Sequence, residues 1–221
     1  MTPAIARTLA LALALASGHA SAQATFSASL ASDYRFRGMS LSAERAAPGV
    51  AVNIDTSSGL YAGASLMRAR FLYTPVDLQA IAYAGYVRRF DADVSWDAGV
   101  TETRFSGAKR YNYRELHAGV SSERFSARMY WSPHYFGIGK SSVYAEVKGS
   151  HPLTDRIELV GHVGHLLRPV SRTDVRIGLA AALDEWTVQL AWVANRDRAS
   201  QYPFIYSPHA RRLVLSTSRV F

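Results

Sequence analysis

The chain has 221 residues, of which 48% are apolar and 19% are charged, and it contains no cysteine. This composition is too apolar for a disordered chain and too polar for a polytopic helical membrane protein. The mean hydropathy of −0.04 fits a soluble domain, but it also fits a membrane β-barrel, whose strands alternate apolar and polar residues. The missing cysteines exclude a disulfide scaffold and thiol chemistry, and the net charge of +8 indicates an anionic partner or surface.

The N-terminal segment has the three parts of a secretory signal peptide. Arg7 precedes an apolar run at residues 9–16, and the small residues Ala20 and Ala22 supply a cleavage site. We therefore expect residues 1–22 to be a cleaved signal peptide and residues 23–221 to form the mature domain. No later apolar run reaches the roughly 18 residues that a membrane-spanning helix requires.

From residue 25 onward, apolar and polar residues alternate with the period of two that is typical of β-strands. In the first segment Phe26, Ala28 and Leu30 share one face, whereas Ser27 and Ser29 share the other. Helical spacing does not persist anywhere. The alternation predicts twelve strands, at residues 25–37, 49–56, 60–68, 77–89, 94–105, 111–121, 125–133, 141–150, 156–166, 174–183, 186–196 and 210–221.

The connections between these predicted strands alternate between short and long. Residues 57–59 and 122–124 are short connections, whereas residues 38–48, 167–173 and 197–209 are long ones. Outer-membrane barrels have short periplasmic turns and longer outer loops. The sequence therefore predicts an all-β fold, a twelve-stranded antiparallel transmembrane β-barrel in the bacterial outer membrane, with outer-membrane lipid around it.

Aromatic residues cluster near the ends of the predicted strands, which predicts two girdles at the membrane interfaces. The girdle at the short turns would contain Phe26, Phe90, Phe125, Trp186 and Phe221. The girdle at the long loops would contain Tyr34, Phe36, Phe105, Tyr111, Trp131, Tyr135 and Trp192. The last strand ends on Phe221 and resembles the closing strand that the barrel-assembly machinery recognises, and Arg219 in it is expected to reach the periplasmic interface.

Two motifs give the chain a family resemblance. Residues 32–40 read SDYRFRGMS, and residues 59–63 read GLYAG. The first motif resembles the opening motif of the TorF family of porins, and the second is a weaker echo of the same family. The resemblance implies an outer-membrane pore without a defined substrate.

The polar faces of the predicted strands would line the lumen and contact the solute. Our candidates are Asp33, Arg35, Arg37, Glu115, His117, Arg128, Glu146, Lys148 and Arg176. Arg35 and Arg37 are two residues apart on one predicted strand and would share a face. They are the first choice for a solute contact, and the alternative is a salt bridge to an acid on a neighbouring strand. Because the lumen charges are mixed, we expect them to pair and to give a small conductance.

Excess positive charge lies in or beside the predicted long loops. The residues are Arg68, Arg70, Lys109, Arg110, Lys140, Arg168, Arg172, Arg196, Arg198 and Arg211. A basic outer mouth would concentrate anions, and it could equally bind the phosphates of lipopolysaccharide. Nucleic-acid binding is a poor explanation, because the basic residues are scattered over several loops of an exported chain.

These patterns predict a porin-like channel for the passive diffusion of small anionic solutes. A channel for acidic oligosaccharides is the alternative within transport. A lipid hydrolase is the alternative among enzymes, with His117, Glu115 and either Ser95 or Ser121 as its best candidate set. We expect no enzymatic activity and no cofactor. We also expect no metal site, because His162 and His165 point to opposite faces of one predicted strand.

Overall fold

The computed structural model describes residues 22–91, 93–168, 171–197, 207 and 209–221. The predicted signal peptide lies outside these residues except for Ala22, which begins the first strand. The strands are β1 Ala22–Ala31, β2 Arg35–Phe36, β3 Met39–Ser40, β4 Ala47–Thr56, β5 Leu60–Arg68, β6 Leu78–Arg89, β7 Ser95–Phe105, β8 Tyr113–Ser121, β9 Phe125–Ser132, β10 Ser142–Pro152, β11 Ile157–Arg168, β12 Arg172–Leu183, β13 Trp186–Asp197 and β14 Arg211–Val220. Two single-turn 3-10 helices span Lys109–Tyr111 and Tyr135–Gly137. No helix in the described ranges is long and apolar enough to span a membrane.

Twelve of the strands form one closed antiparallel barrel, which confirms the predicted fold class. Each strand pairs with its neighbour in the chain, and β1 closes the ring by pairing with β14. The remaining strands, β2 and β3, form a separate two-stranded sheet. The barrel strands have 8 to 12 residues, which is about the length a tilted strand needs to cross a bilayer.

The exterior of the barrel is a belt of exposed apolar side chains. Its members include Leu30, Val50, Leu66, Val100, Leu116, Met129, Val163, Ile177, Leu190 and Leu215. An apolar surface of this extent is unfavourable in water, whereas it is stable in contact with lipid tails. A closed barrel also leaves no unpaired sheet edge in the hydrocarbon. The protein is therefore a β-barrel of the bacterial outer membrane.

The predicted girdle is correct at the short turns and largely wrong at the long loops. All five aromatic residues assigned to the short-turn girdle are exposed. At the opposite end Trp131 and Trp192 are exposed, but Phe105, Tyr111 and Tyr135 are buried inside the barrel. Phe105 shares the strand parity of lumen-facing Thr103, so its inward direction follows from the pleat.

The predicted first strand, residues 25–37, is also wrong at its end. β1 stops at Ala31, and the chain turns into the lumen, where the backbone N–H of Ser32 donates to the carbonyl of Leu215 at 2.8 Å. Residues 33–45, which we call the plug, lie inside the barrel before β4 begins. Tyr34 and Phe36 therefore pack against the internal apolar cluster and not against lipid.

The predicted long connection at residues 167–173 is wrong as well. β11 continues to Arg168 and β12 begins at Arg172, so the two strands are joined by residues 169–171 alone. The two strands stay paired from Ile157 to Leu166 in regular antiparallel register. Extension of the ladder has replaced most of the expected loop.

A buried apolar cluster fills the half of the barrel nearest the long loops. Aromatic rings pack closely within it: Phe71 and Phe105 have centroids 5.0 Å apart, and Tyr113 and Tyr135 have centroids 4.9 Å apart. The other members are Met39, Leu41, Ala69, Val76, Ala108, Tyr111, Phe136, Tyr144 and Leu166. Loops and plug thus share one core in the outer half of the lumen.

The two faces of β13 give a paired test of the orientation. Leu190 is exposed on the apolar exterior, whereas the adjacent Gln189 lines the lumen. We expect Leu190→Arg to lower the free energy of unfolding in lipid vesicles by about 2–4 kcal/mol, because a charge near the bilayer midplane loses its hydration. Gln189→Arg is the control and should have a smaller effect in urea titrations. Equal losses would contradict the assignment of faces.

Candidate functional site in the barrel lumen

The plug is built around a tight hairpin formed by β2 and β3. Arg37 and Gly38 form its two-residue turn and have φ values of +48° and +79°, the signs required by a type I′ turn. The carbonyl of Gly38 accepts a hydrogen bond from the side-chain amide of Asn195 at 2.7 Å. A Cβ atom on Gly38 would lie 2.8 Å from the Cβ atoms of Asn195 and Asp174. Only glycine therefore allows the hairpin tip to approach β12 and β13 this closely.

Arg37 binds Glu115 of β8 in a bidentate ion pair. Nη1 donates to Oε1 at 2.9 Å and Nη2 donates to Oε2 at 2.8 Å, and both side chains are buried. The guanidinium carbon also lies 4.3–5.4 Å from the ring centroids of Phe36, Tyr130, Tyr135 and Tyr144. A desolvated charge is stable only when it is paired, and these contacts provide both the opposite charge and cation–π stabilisation.

Arg35 stabilises the plug from within. Its Nε donates to Asp33 at 2.8 Å, and its Nη2 lies 3.3 Å from Glu44. Asp33 also accepts hydrogen bonds from the hydroxyl groups of Ser40 at 2.5 Å and Ser42 at 3.2 Å. The charges of this cluster come from the plug itself, but Nη2 of Arg35 also donates to the backbone carbonyl of His209 at 2.9 Å, so distant contacts hold the cluster as well as local ones.

Glu44 attaches the outer end of the plug to the start of β14. Its carboxylate accepts hydrogen bonds from His209 and from Arg212. Burial raises the pKa of Glu44, but the hydrogen bonds from His209 and the charges of Arg212 and His209 lower it more, so that the pKa lies below its ordinary value of 4.5. The ionised form of Glu44 is therefore the form that holds the plug.

A first polar network lies on the wall formed by β5 to β9. The hydroxyl of Tyr61 donates to Asp97 at 3.0 Å and contacts Nε2 of His117 at 2.8 Å. Arg128 donates to the other oxygen of Asp97 at 2.8 Å. The network crosses four strands and neutralises the buried carboxylate.

This network does not assemble the candidate hydrolase set. The hydrogen bonds of His117 go to Tyr61 and, more weakly, to Thr101 at 3.4 Å. The hydroxyl of Ser95 contacts that of Ser121 at 3.0 Å. Neither serine is therefore the hydrogen-bonded partner that a catalytic histidine needs.

A second polar network lies on β10 to β12. Lys148 pairs with Glu146 at 2.7 Å, and His162 contacts Asp174 at 2.7 Å. The hydroxyl of Tyr144 also donates to Asp174 at 3.1 Å. The two histidines of β11 point to opposite faces, as the sequence predicts, because His165 contacts Thr173 and not this network.

Below the plug the lumen contains a cavity of about 950 Å³. It extends from the hairpin to the short turn at residues 122–124 and the adjacent end of β9. Of the nine candidates proposed from sequence, eight line this cavity: Arg35, Arg37, Glu115, His117, Arg128, Glu146, Lys148 and Arg176. Asp33 is buried within the plug instead. Their contact with a solute remains a prediction.

Arg35 and Arg37 do not share a strand face, contrary to the sequence prediction. Arg35 lies in β2 and Arg37 lies in the turn that follows. Both side chains are nevertheless buried and paired with carboxylates. Arg37 forms the alternative contact that the sequence suggested, because it makes a salt bridge to an acid on a barrel strand, Glu115 of β8.

Several residues of the site were not among the sequence candidates. Tyr130 and Tyr144 have the parity of the polar faces of β9 and β10, so their inward direction was readable from the alternation. Glu44 lies in a segment without alternation, and its partners His209 and Arg212 are more than 160 positions away in the chain. No local pattern could have indicated that contact.

The described residues of the predicted basic mouth are exposed, with the exception of Arg172. Arg70 and Lys140 are exposed, whereas Arg172 is buried at 1% exposure and Arg68 pairs with Asp77 at 3.3 Å. Arg198 lies outside the described residues. The structure thus removes Arg172 from the set that could contact external anions.

The sequence comparison identifies the family. Residues 16–219 match Gcw_chp, a family of bacterial proteins of unknown function. The chain belongs to the Gcw_chp family. No curated protein matches it in sequence. The family carries a different name from TorF, so the TorF resemblance of residues 32–40 remains a prediction.

Solved structures with a fold similar to that of this Gcw_chp protein include porins and an outer membrane channel. A KdgM porin superposes with a TM-score of 0.57 at 9% identity, covering 91% of this chain and 99% of the porin. The COG4313 outer membrane channel from Pseudomonas putida F1 superposes with a TM-score of 0.51 at 13% identity, covering 90% and 95%. A KdgM porin in complex with disordered oligogalacturonate gives 0.52 at 7% identity, covering 91% and 99%. At these identities the similarity is one of fold.

Removing the acid that pairs with Arg37 tests the importance of the buried pair. Glu115→Gln leaves the guanidinium buried without a counter-charge, and we expect a loss of about 3–5 kcal/mol in the stability of the plugged state. Limited trypsin digestion should then cut the chain between residues 35 and 45. Glu102→Gln is the control, because it breaks exposed ion pairs worth about 0–1 kcal/mol. Equal resistance of both variants to trypsin would contradict this role.

The lowered pKa of Glu44 predicts acid release of the outer end of the plug. Its stabilising contribution is complete above its ordinary value of 4.5 and is lost as pH falls through the lower value in the folded protein. Trypsin is inactive in acid, so pepsin digestion from pH 5 to pH 2 is the measurement. The native plug should become cleavable as the pH falls, whereas Glu44→Gln should be cleavable throughout. Asp77→Asn is the control, and its cleavage by pepsin should depend on pH in the same way as that of the native protein.

Proposed function

We propose that this Gcw_chp protein is a channel for the passive diffusion of small anionic solutes. The observation that carries the proposal is the charge of the cavity beneath the plug. Arg128, Lys148 and Arg176 all line it. The side chain of Lys148 is 52% exposed and that of Arg128 is 36% exposed, and within the described residues Arg176 has no ion-pair partner.

Acids pair with two of these cations, Asp97 with Arg128 and Glu146 with Lys148, but they leave much of each cationic side chain exposed. Glu115 is buried against Arg37, and Asp97 is buried against Arg128 and Tyr61. The cations keep part of their surface open to the cavity, whereas the carboxylates are mostly covered. A narrow cavity with low-dielectric walls focuses such a potential, which favours the entry of anions.

The plug makes the described conformation a closed one. The aromatic cluster fills the outer half of the lumen and the hairpin forms the roof of the cavity. Passage of a solute therefore requires the plug to move, which supports a small or intermittent conductance. This fits a selective channel better than a wide general pore.

Acidic oligosaccharides are the second candidate solute. One of the structurally similar porins is described in complex with oligogalacturonate, which carries a carboxylate on each sugar. Three cations along one cavity suit a ligand with several carboxylates. Block of a chloride current by oligogalacturonate, but not by a neutral oligosaccharide, would favour this candidate.

We further propose a non-enzymatic role. The pairing of His117 with Tyr61 and of Ser95 with Ser121 supports it, because the candidate nucleophiles lack an adjacent base. Phospholipid hydrolysis by the purified native protein would contradict this part of the proposal.

Two partners follow from the position of the barrel. Exposed cations at the long loops, such as Arg70 and Lys140, suit the phosphates of lipopolysaccharide. The C-terminal strand ends on the exposed ring of Phe221, beside which Arg219 lies 4.7 Å from the ring centroid and pairs with Glu185. We propose that this end of β14 is read by the barrel-assembly machinery.

Ion selectivity in planar bilayers tests the proposed function. In a salt gradient the native protein should give a reversal potential of the anion-selective sign, and Arg176→Gln combined with Lys148→Gln should move that potential towards the cation-selective side. Arg114→Gln removes the same kind of charge from the exterior, where its side chain is 76% exposed, and it should leave the potential unchanged. A complete lack of conductance would contradict the channel, and cation selectivity of the native protein would contradict the anion preference.

A further inference from the structure

Arg37 occupies its place in the barrel wall as a ligand occupies a binding site. The groups that hold it are the carboxylate of Glu115 and the rings of Tyr130, Tyr135 and Tyr144, which we call the cage. Two of these rings lie on strands of the barrel wall, as does Glu115, whereas Arg37 belongs to the plug. The cage and the residue that it binds thus belong to separate parts of the fold.

The three rings of the cage have contacts that do not involve Arg37. The hydroxyl of Tyr144 donates to Asp174 at 3.1 Å, and that of Tyr130 donates to Glu146 at 3.3 Å. The ring of Tyr135 packs edge-on against Tyr113. These contacts would persist if the guanidinium left, so the rings are preorganised for another cationic ligand.

The geometry of the cage suits a guanidinium group. Two parallel N–H···O contacts to Glu115 match the planar fork of a guanidinium, and the Tyr144 ring at 4.3 Å provides a stacking face. An ammonium group would make only a point contact with the carboxylate. A free guanidinium that replaced Arg37 would restore every contact of Glu115, whereas an anion that drew Arg37 away would leave a buried carboxylate unpaired.

The cage can be reached from the cavity, and the hairpin is strained where it enters the cage. Glu115, Tyr130 and Tyr144 all line the cavity that leads to the short turns.

Arg37 adopts a φ of +48°, a left-handed conformation that costs energy for a residue with a side chain. Release of the hairpin would remove that strain and return Arg37 to water.

We propose that the cage is a binding site for a guanidinium-bearing ligand, that Arg37 is its tethered internal competitor, and that ligand binding releases the plug. Binding at the cage is independent of the anion preference proposed above. Only the conductance part of the test below depends on the proposed channel function.

The first experiment measures binding of methylguanidinium by calorimetry in detergent. Arg37→Ala empties the cage, and it should bind methylguanidinium at least about tenfold more tightly than the native protein, because the internal competitor no longer reduces the available fraction of sites. Arg37→Ala combined with Glu115→Gln should lose that binding. Methylammonium, as the control cation, should bind Arg37→Ala more weakly. No gain in affinity for Arg37→Ala, or equal binding by the double variant, would overturn the proposal.

A second measurement keeps Arg37 and so does not depend on the folding of Arg37→Ala. The chain contains no cysteine, so Arg45→Cys places a single fluorophore on an exposed position of the plug. Its emission should shift with methylguanidinium and not with methylammonium at equal ionic strength. An emission that does not respond would overturn plug release.

The conductance arm separates this inference from the proposed function. In planar bilayers, methylguanidinium should raise the open probability of the native protein, whereas sodium at equal ionic strength should not. Tight binding of methylguanidinium by Arg37→Ala in a protein that never conducts would contradict the channel but would support the cage. Conductance that methylguanidinium does not change, together with no binding of methylguanidinium by Arg37→Ala, would overturn the cage but would support the channel.

Discussion

The ion pair between Arg37 and Glu115 is the contact on which the organisation of the lumen depends. Both groups are buried, and neither could remain charged there without the other. Because Arg37 belongs to the plug and Glu115 to β8, their pairing fixes the hairpin across the barrel. That position puts the hairpin at one end of the cavity and its apolar residues against the internal cluster.

The buried carboxylates of the lumen are neutralised at close range, and the apolar belt on the exterior carries no charge. Each buried lumen carboxylate on the wall has a cationic, histidine or tyrosine partner, as Asp97 and Asp174 illustrate. On the exterior, where no water could solvate a charge, the belt is apolar. The same pleat produces both surfaces, because successive side chains point to opposite faces of a strand.

Much of the fold was accessible from sequence, for a local reason. The alternation predicted all twelve barrel strands, with ends that differ from the observed ones by a few residues except in β1. The inward direction of Glu115, His117 and Glu146 followed from the same parity. Phe105 was misassigned because aromatic residues near strand ends were read as a girdle, although its parity agreed with that of lumen-facing Thr103.

The plug could not be predicted in this way. Residues 32–37 continue the alternation of β1, so the pattern contains no sign that the chain has left the barrel wall at Ala31. The reversal depends on positive φ angles at Arg37 and Gly38 and on contacts with Asn195 and Glu115. Those partners lie 157 and 78 positions away, beyond the reach of any local rule.

The sequence by itself determined the class of fold, the number of barrel strands and the faces that meet lipid and water. These properties are periodic, and a period of two is set by the backbone of each strand alone. Only the tertiary structure decided that the outer half of the lumen is filled and that Arg35 and Arg37 are paired inside it. Closure of the barrel brings distant strands to within hydrogen-bond distance of the plug, and burial favours pairs such as Arg37 with Glu115, in which neither buried charge lacks a partner.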